Sequence, residues 1–145
     1  MRPVAYVGLV TRTVAFVVDA AILNAVAAVV AAAAALVLSL FPLGHDVRTV
    51  IVAVSGALFF AWVIGYFAIF WATTGQTPGE RVMQIRVTRC GGAGLRPRRA
   101  LVRIAGLVLA ALPLFAGFVP ILLNDRRRGF ADWLADTVVV RAVDA

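Results

Sequence analysis

The chain contains no lysine, one cysteine and one histidine in 145 residues. A lone Cys90 excludes an intramolecular disulfide and any cysteine-built metal cluster. His45 stands in a short polar connection with only Asp46 beside it, too few ligands for a metal. The missing lysine also rules out a phosphate-binding P-loop at Gly75, Gly79 or the Gly91-Gly92-Gly94 cluster. A Ser-His-Asp set and a zinc-protease helix are absent as well, so no enzyme activity, metal or other cofactor is expected. Charge itself is scarce: 14% of residues are charged and 63% are hydrophobic, far too apolar for an ordinary soluble domain. At this length the chain is one domain, and the composition makes it a membrane protein.

All fourteen basic residues are arginines, and alanine and valine dominate the apolar set, which reads as G+C-rich coding and points to a bacterium. The net charge of +7 flanks long apolar stretches and does not cover a soluble face, so nucleic acid is not expected as a partner. Arg126, Arg127, Arg128 and the arginines of residues 81–103 form a cationic collar suited to anionic lipid head groups. The first apolar stretch is too long for a cleaved signal peptide and carries Asp19 inside it, so it is expected to stay as a membrane helix.

The single domain, residues 7–141, divides as follows. Residues 13–41 and 48–72 read as two spans that form a hairpin through the connection at Pro42, Gly44, His45 and Asp46. Residues 73–100 form an arginine-rich polar loop. Within it Val82 to Thr88 alternates towards β, and in the tail, residues 125–145, Thr137 to Val140 is a second β-branched run with which it can pair. Residues 101–124 are a third hydrophobic segment, either one crossing or a re-entrant hairpin bent at Pro113 and Gly117. With the N-terminus inside, one crossing leaves nine arginines inside and five outside, whereas re-entry leaves only Arg48 outside. The positive-inside rule favours re-entry. The expected fold is therefore all-α, with two transmembrane helices, a re-entrant segment and a small two-stranded cytoplasmic β pairing. A neighbouring subunit or the first two helices must cover the bend, which disfavours an isolated monomer.

Arg12 and Asp19, seven residues apart, share one helix face with about 10 Å between them along the axis. An aspartate at a membrane-helix centre costs about 2.5–3.5 kcal/mol on insertion scales, and so needs a use. The first expectation is a structural ion pair, with Arg103 or with Arg126, Arg127 or Arg128; an ion or proton site and a partner contact are the alternatives. Ala57, Ala61 and Gly65 form a small-residue ridge on the second span, and Ala21, Ala25, Ala28 and Ala32 a matching stripe on the first. The two are expected to pack together, with a homo-oligomer seam as the other option. Aromatics thicken towards the end of the second span at Trp62, Tyr66 and Trp71, and Trp71 with Tyr66 reads as an interfacial belt.

Taken in order, these residues resemble the RDD family of bacterial membrane proteins, named for one arginine and two aspartates. Arg12 and Asp19 match the arginine and first aspartate, and Asp132 in Gly129-Phe130-Ala131-Asp132-Trp133-Leu134 matches the second. The loop motif Gly75-Gln76-Thr77-Pro78-Gly79-Glu80-Arg81, the following Ile85-Arg86-Val87, and Arg103 are similar to the family's segments in the same order. Two positions depart: Glu80 stands where a basic residue is common, and Asp136 where glycine is common. The resemblance implies transport of ions or other ligands, proposed for a family otherwise largely uncharacterised, or association with other envelope proteins. The expected role is an accessory or assembly subunit of a cell-envelope transport complex in the inner membrane, with both termini cytoplasmic and with lipids, other membrane subunits or further copies as partners. A homo-oligomeric proton-coupled cation transporter using Asp19 is the alternative; two or three spans alone are too few to enclose a midplane site.

Overall fold

Stretches rich in alanine, valine and other apolar residues carry two long helices in the computed structural model, which describes residues 6–111, 119–123 and 126–142. Helix α1 (Leu9–Ser39) and helix α2 (His45–Thr73) have 31 and 29 residues. At 1.5 Å per residue each is well over 40 Å long, against a hydrocarbon core of about 30 Å, so both tilt or protrude. They begin earlier than the hydropathy suggested, because Arg12 and the polar residues from His45 onward are helical. The membrane character follows from their surfaces. In α1 only Arg12, Ala15, Asp19 and Leu23 are buried, a stripe on its first turns, and in α2 only Trp71 near its end. Most of the rest faces outward with valine, leucine, isoleucine and phenylalanine.

The two spans do not pack along their length. They meet near the buried end, where the Phe16 and Phe67 rings lie 5.7 Å apart and Tyr66 reaches Asp19. Ala57 and Ala61 are exposed, no atom lies within 4 Å of where a Gly65 side chain would stand, and Ala21, Ala25, Ala28 and Ala32 are exposed too. The expected stripe-on-stripe contact is therefore absent, and the contact between the helices is made by the aromatic pair and by Tyr66.

Beyond α2 the chain makes a short helix α3 (Pro78–Val82), strand β1 (Ile85–Arg89), helix α4 (Pro97–Ala111), helix α5 (Pro120–Leu123), helix α6 (Phe130–Leu134) and strand β2 (Thr137–Arg141). The antiparallel pairing of β1 and β2 centres on Val87 opposite Val139, and Tyr6 adds a bridge to Val140 on the other edge of β2. The β pairing is as expected, but β1 starts at Ile85, since Val82 ends a helix. The third hydrophobic stretch includes α4, which starts at Pro97 inside the predicted loop, and α5, begun by Pro120 at the position where proline suits a helix. The expected bend at Pro113 and Gly117 lies outside the described residues.

Two units repeat one design. Each is a five-residue helix, a two-residue link whose second residue is in the left-handed region, then a five-residue strand: α3, Met83-Gln84 (Gln84 φ 54°), β1 and α6, Ala135-Asp136 (Asp136 φ 53°), β2. Asp136 thus occupies a conformation that glycine adopts without strain, which accounts for glycine being common there and for aspartate being accepted. The core sits at this end of the molecule, where Val7, Ala15, Trp71, Ile85, Val87, Leu95, Ala100 and Val139 pack together.

Candidate functional site: a buried charge network

Helix α3 owes its position to Thr77. The Thr77 hydroxyl accepts from the Glu80 amide at 3.2 Å while a Glu80 carboxylate oxygen accepts from the Thr77 amide at 2.9 Å, a reciprocal cap that starts the helix at Pro78. The same hydroxyl donates to Asp19 Oδ2. Asp19 Oδ1 accepts from the Gly79 amide and from the Tyr66 hydroxyl, each at 2.8 Å. Only glycine fits at position 79, since a Cβ there would stand 2.2 Å from the Ala15 carbonyl oxygen. Asp19 is 1% exposed, so its carboxylate binds α1 to α2 and α3 through three neutral donors. Of the four arginines expected as partners for Asp19, Arg103 and Arg128 are engaged elsewhere and Arg126 and Arg127 are exposed, while α3 occupies the approach to its carboxylate.

Asp132 takes the arginines. Its two oxygens receive the Arg12 and Arg103 guanidinium groups, and the Gly129 amide donates to it at 3.2 Å. Arg103 also donates to Thr137 at 2.9 Å, while Arg12 donates to the carbonyls of Val7 at 3.2 Å and Arg127 at 2.7 Å. Burial acts to raise the pKa of Asp132, but Arg103 and Arg12 overcome it and hold the carboxyl below its usual range. Arg128 reaches the Asp132 carbonyl at 3.1 Å and Asp136 at 3.5 Å; Arg126 is exposed.

A third acid joins the two clusters. Glu80 is buried and accepts from the Trp71 indole N–H at 3.0 and 3.2 Å, and the Arg103 guanidinium lies 4.8 Å above the Trp71 ring. Burial pushes the Glu80 carboxyl up to about 7, against the lowering influence of Arg103. Trp71, 1% exposed, is thus a core residue and not part of an interfacial belt; Tyr66 is likewise a ligand of Asp19. Trp62 remains exposed on α2. The remaining loop residues serve the scaffold. Gly75 (φ 69°) accepts from the Val87 amide at 2.8 Å, Gln76 donates to the Ile85 carbonyl at 2.8 Å, and Arg81 faces solvent. Among the described residues no group of three or more His, Cys, Asp or Glu is placed to hold a metal.

Sequence reading missed the Tyr66 and Trp71 roles and the importance of Glu80. One signal was available: the spacing of Thr77 and Glu80 is a capping box, which places Glu80 at the first turn of a helix.

Two long apolar helices planted in a buried arginine–carboxylate core define a helical membrane protein. The chain belongs to the RDD family, whose family model matches residues 6–136. No curated protein and no solved structure matches it.

Proposed function

We propose that this protein is an accessory or assembly subunit of a cell-envelope transport complex in a bacterial inner membrane. The carrying observation is the use of the three motif charges. Arg12, Asp19 and Asp132 are consumed in joining α1, α2, α3, α4 and α6, while nearly all of α1 and α2 above the core is free to meet lipid or another membrane helix. Three donors from the protein itself occupy the Asp19 carboxylate, which argues against ion exchange there.

Re-entry of the third segment is part of this reading. Pairing of β1 with β2 puts Arg89 and Thr137 on one side of the bilayer. Between Pro97 and Gly129 the chain is too short for two crossings of about 20 residues each plus a turn, which supports a segment that enters and returns on one side. With the arginine-rich loop cytoplasmic, both termini are cytoplasmic, and the exposed arginines 81, 96, 98 and 126 face anionic head groups.

The test is purification of the tagged full chain from its own membrane in mild detergent. A second polypeptide at stoichiometric yield, whose abundance falls when the chain is deleted, is expected. A homo-oligomer alone that moves protons against a cation gradient in vesicles, with the movement lost in Asp19→Asn, would replace this reading with the transporter.

A further inference from the structure

The two helix–strand units are related by an approximate two-fold axis. Thr77 and Gly129, Glu80 and Asp132, Gln84 and Asp136, and Val87 and Val139 are separated by one constant interval along the chain. Val87 and Val139 face each other at the centre of the ladder, as an axis through an antiparallel pair requires. Gln84 and Asp136 share the left-handed conformation, and Glu80 and Asp132 each accept from the amide three residues before them. The relation continues into the membrane helices, for α3 rests on α1 as α6 rests on α4. Gly79 approaches the Ala15 backbone, and Gly106 approaches the Ala131 backbone. Aligned on that contact, Ala15 matches Gly106, and in the same step Arg12 matches Arg103, a pair that converges on one carboxylate.

In the first half, the place beside the acid is filled by Trp71. Its indole donates to Glu80, lies under Arg103, and shares one packed cluster with Ala100, Phe16, Ile104 and Leu107. The counterparts of those six residues in the second half are Asp132, Arg12, Leu9, Leu107, Thr13 and Phe16. All six line one cavity of about 360 Å³. Where one half holds an indole, the other holds space, and the chain's other tryptophans are exposed elsewhere, Trp62 on α2 and Trp133 on α6.

We propose that this cavity receives a tryptophan side chain carried by a partner membrane polypeptide. Among the described residues the wall is apolar apart from Arg12, Thr13, Arg103 and Asp132, and so repeats the combination of guanidinium, carboxylate and apolar surface that encloses Trp71. A ring in the cavity lies against a guanidinium and gains the attraction of a cation to an aromatic face. Thr13 and Phe130, both exposed, stand at the rim, so a helix lying along the outer face of α1 can deliver the ring. The source of the ring rests on the accessory-subunit reading; the shape and chemistry of the cavity do not.

The test uses the full-length protein in detergent micelles with 5-fluoroindole as probe, followed by fluorine NMR, and a synthetic leucine–alanine membrane helix bearing one tryptophan near an end, compared with its leucine twin. Saturable 5-fluoroindole binding is expected, weakened at least tenfold in Thr13→Trp, which fills the cavity from its rim, and unchanged in Val29→Trp, on the exposed part of the same helix. Leu107→Phe, filling from the opposite wall, gives the same comparison if Thr13→Trp lowers the melting temperature. The tryptophan peptide is expected to bind and its leucine twin not. Probe binding that does not saturate, or that survives both filling variants, overturns the site. Saturable probe binding with no preference between the two peptides overturns the partner and leaves a small aromatic molecule as occupant. Failure to find a co-purifying subunit bears on the accessory reading alone, since the fluoroindole measurement needs no partner.

Discussion

At the scale of single residues, one carboxylate carries the largest electrostatic responsibility. Asp132 neutralises two buried guanidinium groups, so Asp132→Asn leaves Arg12 and Arg103 inside without a counter-charge. Removing one partner from a buried pair costs about 3–5 kcal/mol, and thermal melting of the purified variant in detergent should show a loss of that order or failure to accumulate. Thr77 is a milder case with a different cause. Thr77→Ala deletes both the helix cap and a donor to Asp19, for an expected loss of about 1–2 kcal/mol, and Thr77→Ser should recover most of it in the same melt. The identity of these charged residues was legible in the sequence, because an arginine or aspartate inside an apolar stretch is conspicuous. Their partners were not. Arg12 and Asp132 are 120 positions apart, and Arg12 and Asp19, close on one helix face, take their partners from different elements.

Short helix α3 is an element that converts pH into stability. The Glu80 carboxyl titrates near 7 in the folded protein and near 4.5 when unfolded, so between these values the folded state holds a proton that the unfolded state has lost. Its contribution is therefore full below about pH 4.5 and declines as pH rises through about 7, and Glu80→Gln should flatten the dependence of melting temperature on pH across that window. Asp132 acts in the opposite sense, its contribution being lost only in acid below the ordinary aspartate range. The two long helices and the β pairing were legible, since run length and β-branched alternation report directly on them. Helices α3 and α6 were not, for five residues are too few to show a period, and their stability comes from caps and from resting on α1 and α4. The small-residue ridge misled for a related reason: spacing shows that helices are able to approach, whereas the contact actually formed lies elsewhere, at Phe16 and Phe67.

On the scale of the whole molecule, sidedness has an internal reporter. Cys90 is the chain's one cysteine, lies exposed just after β1, and on the cytoplasmic assignment should react with a membrane-impermeant maleimide in inside-out vesicles and not in intact spheroplasts. The reverse pattern would invert the topology, and a reporter joined after Ala145 should agree with Cys90 if the third segment is re-entrant. The distance along the chain between Arg12 and Asp132 also bears on biosynthesis. At about 5–20 residues per second, Arg12 is made about 6–24 s before Asp132. During that interval the first helix carries an unneutralised guanidinium, and the sheet lacks its second strand. Arg12 therefore lacks its carboxylate partner until Asp132 has been made, and a chain cut short before residue 132 is expected to accumulate to a lower level than the full chain, as immunoblotting of membranes would show.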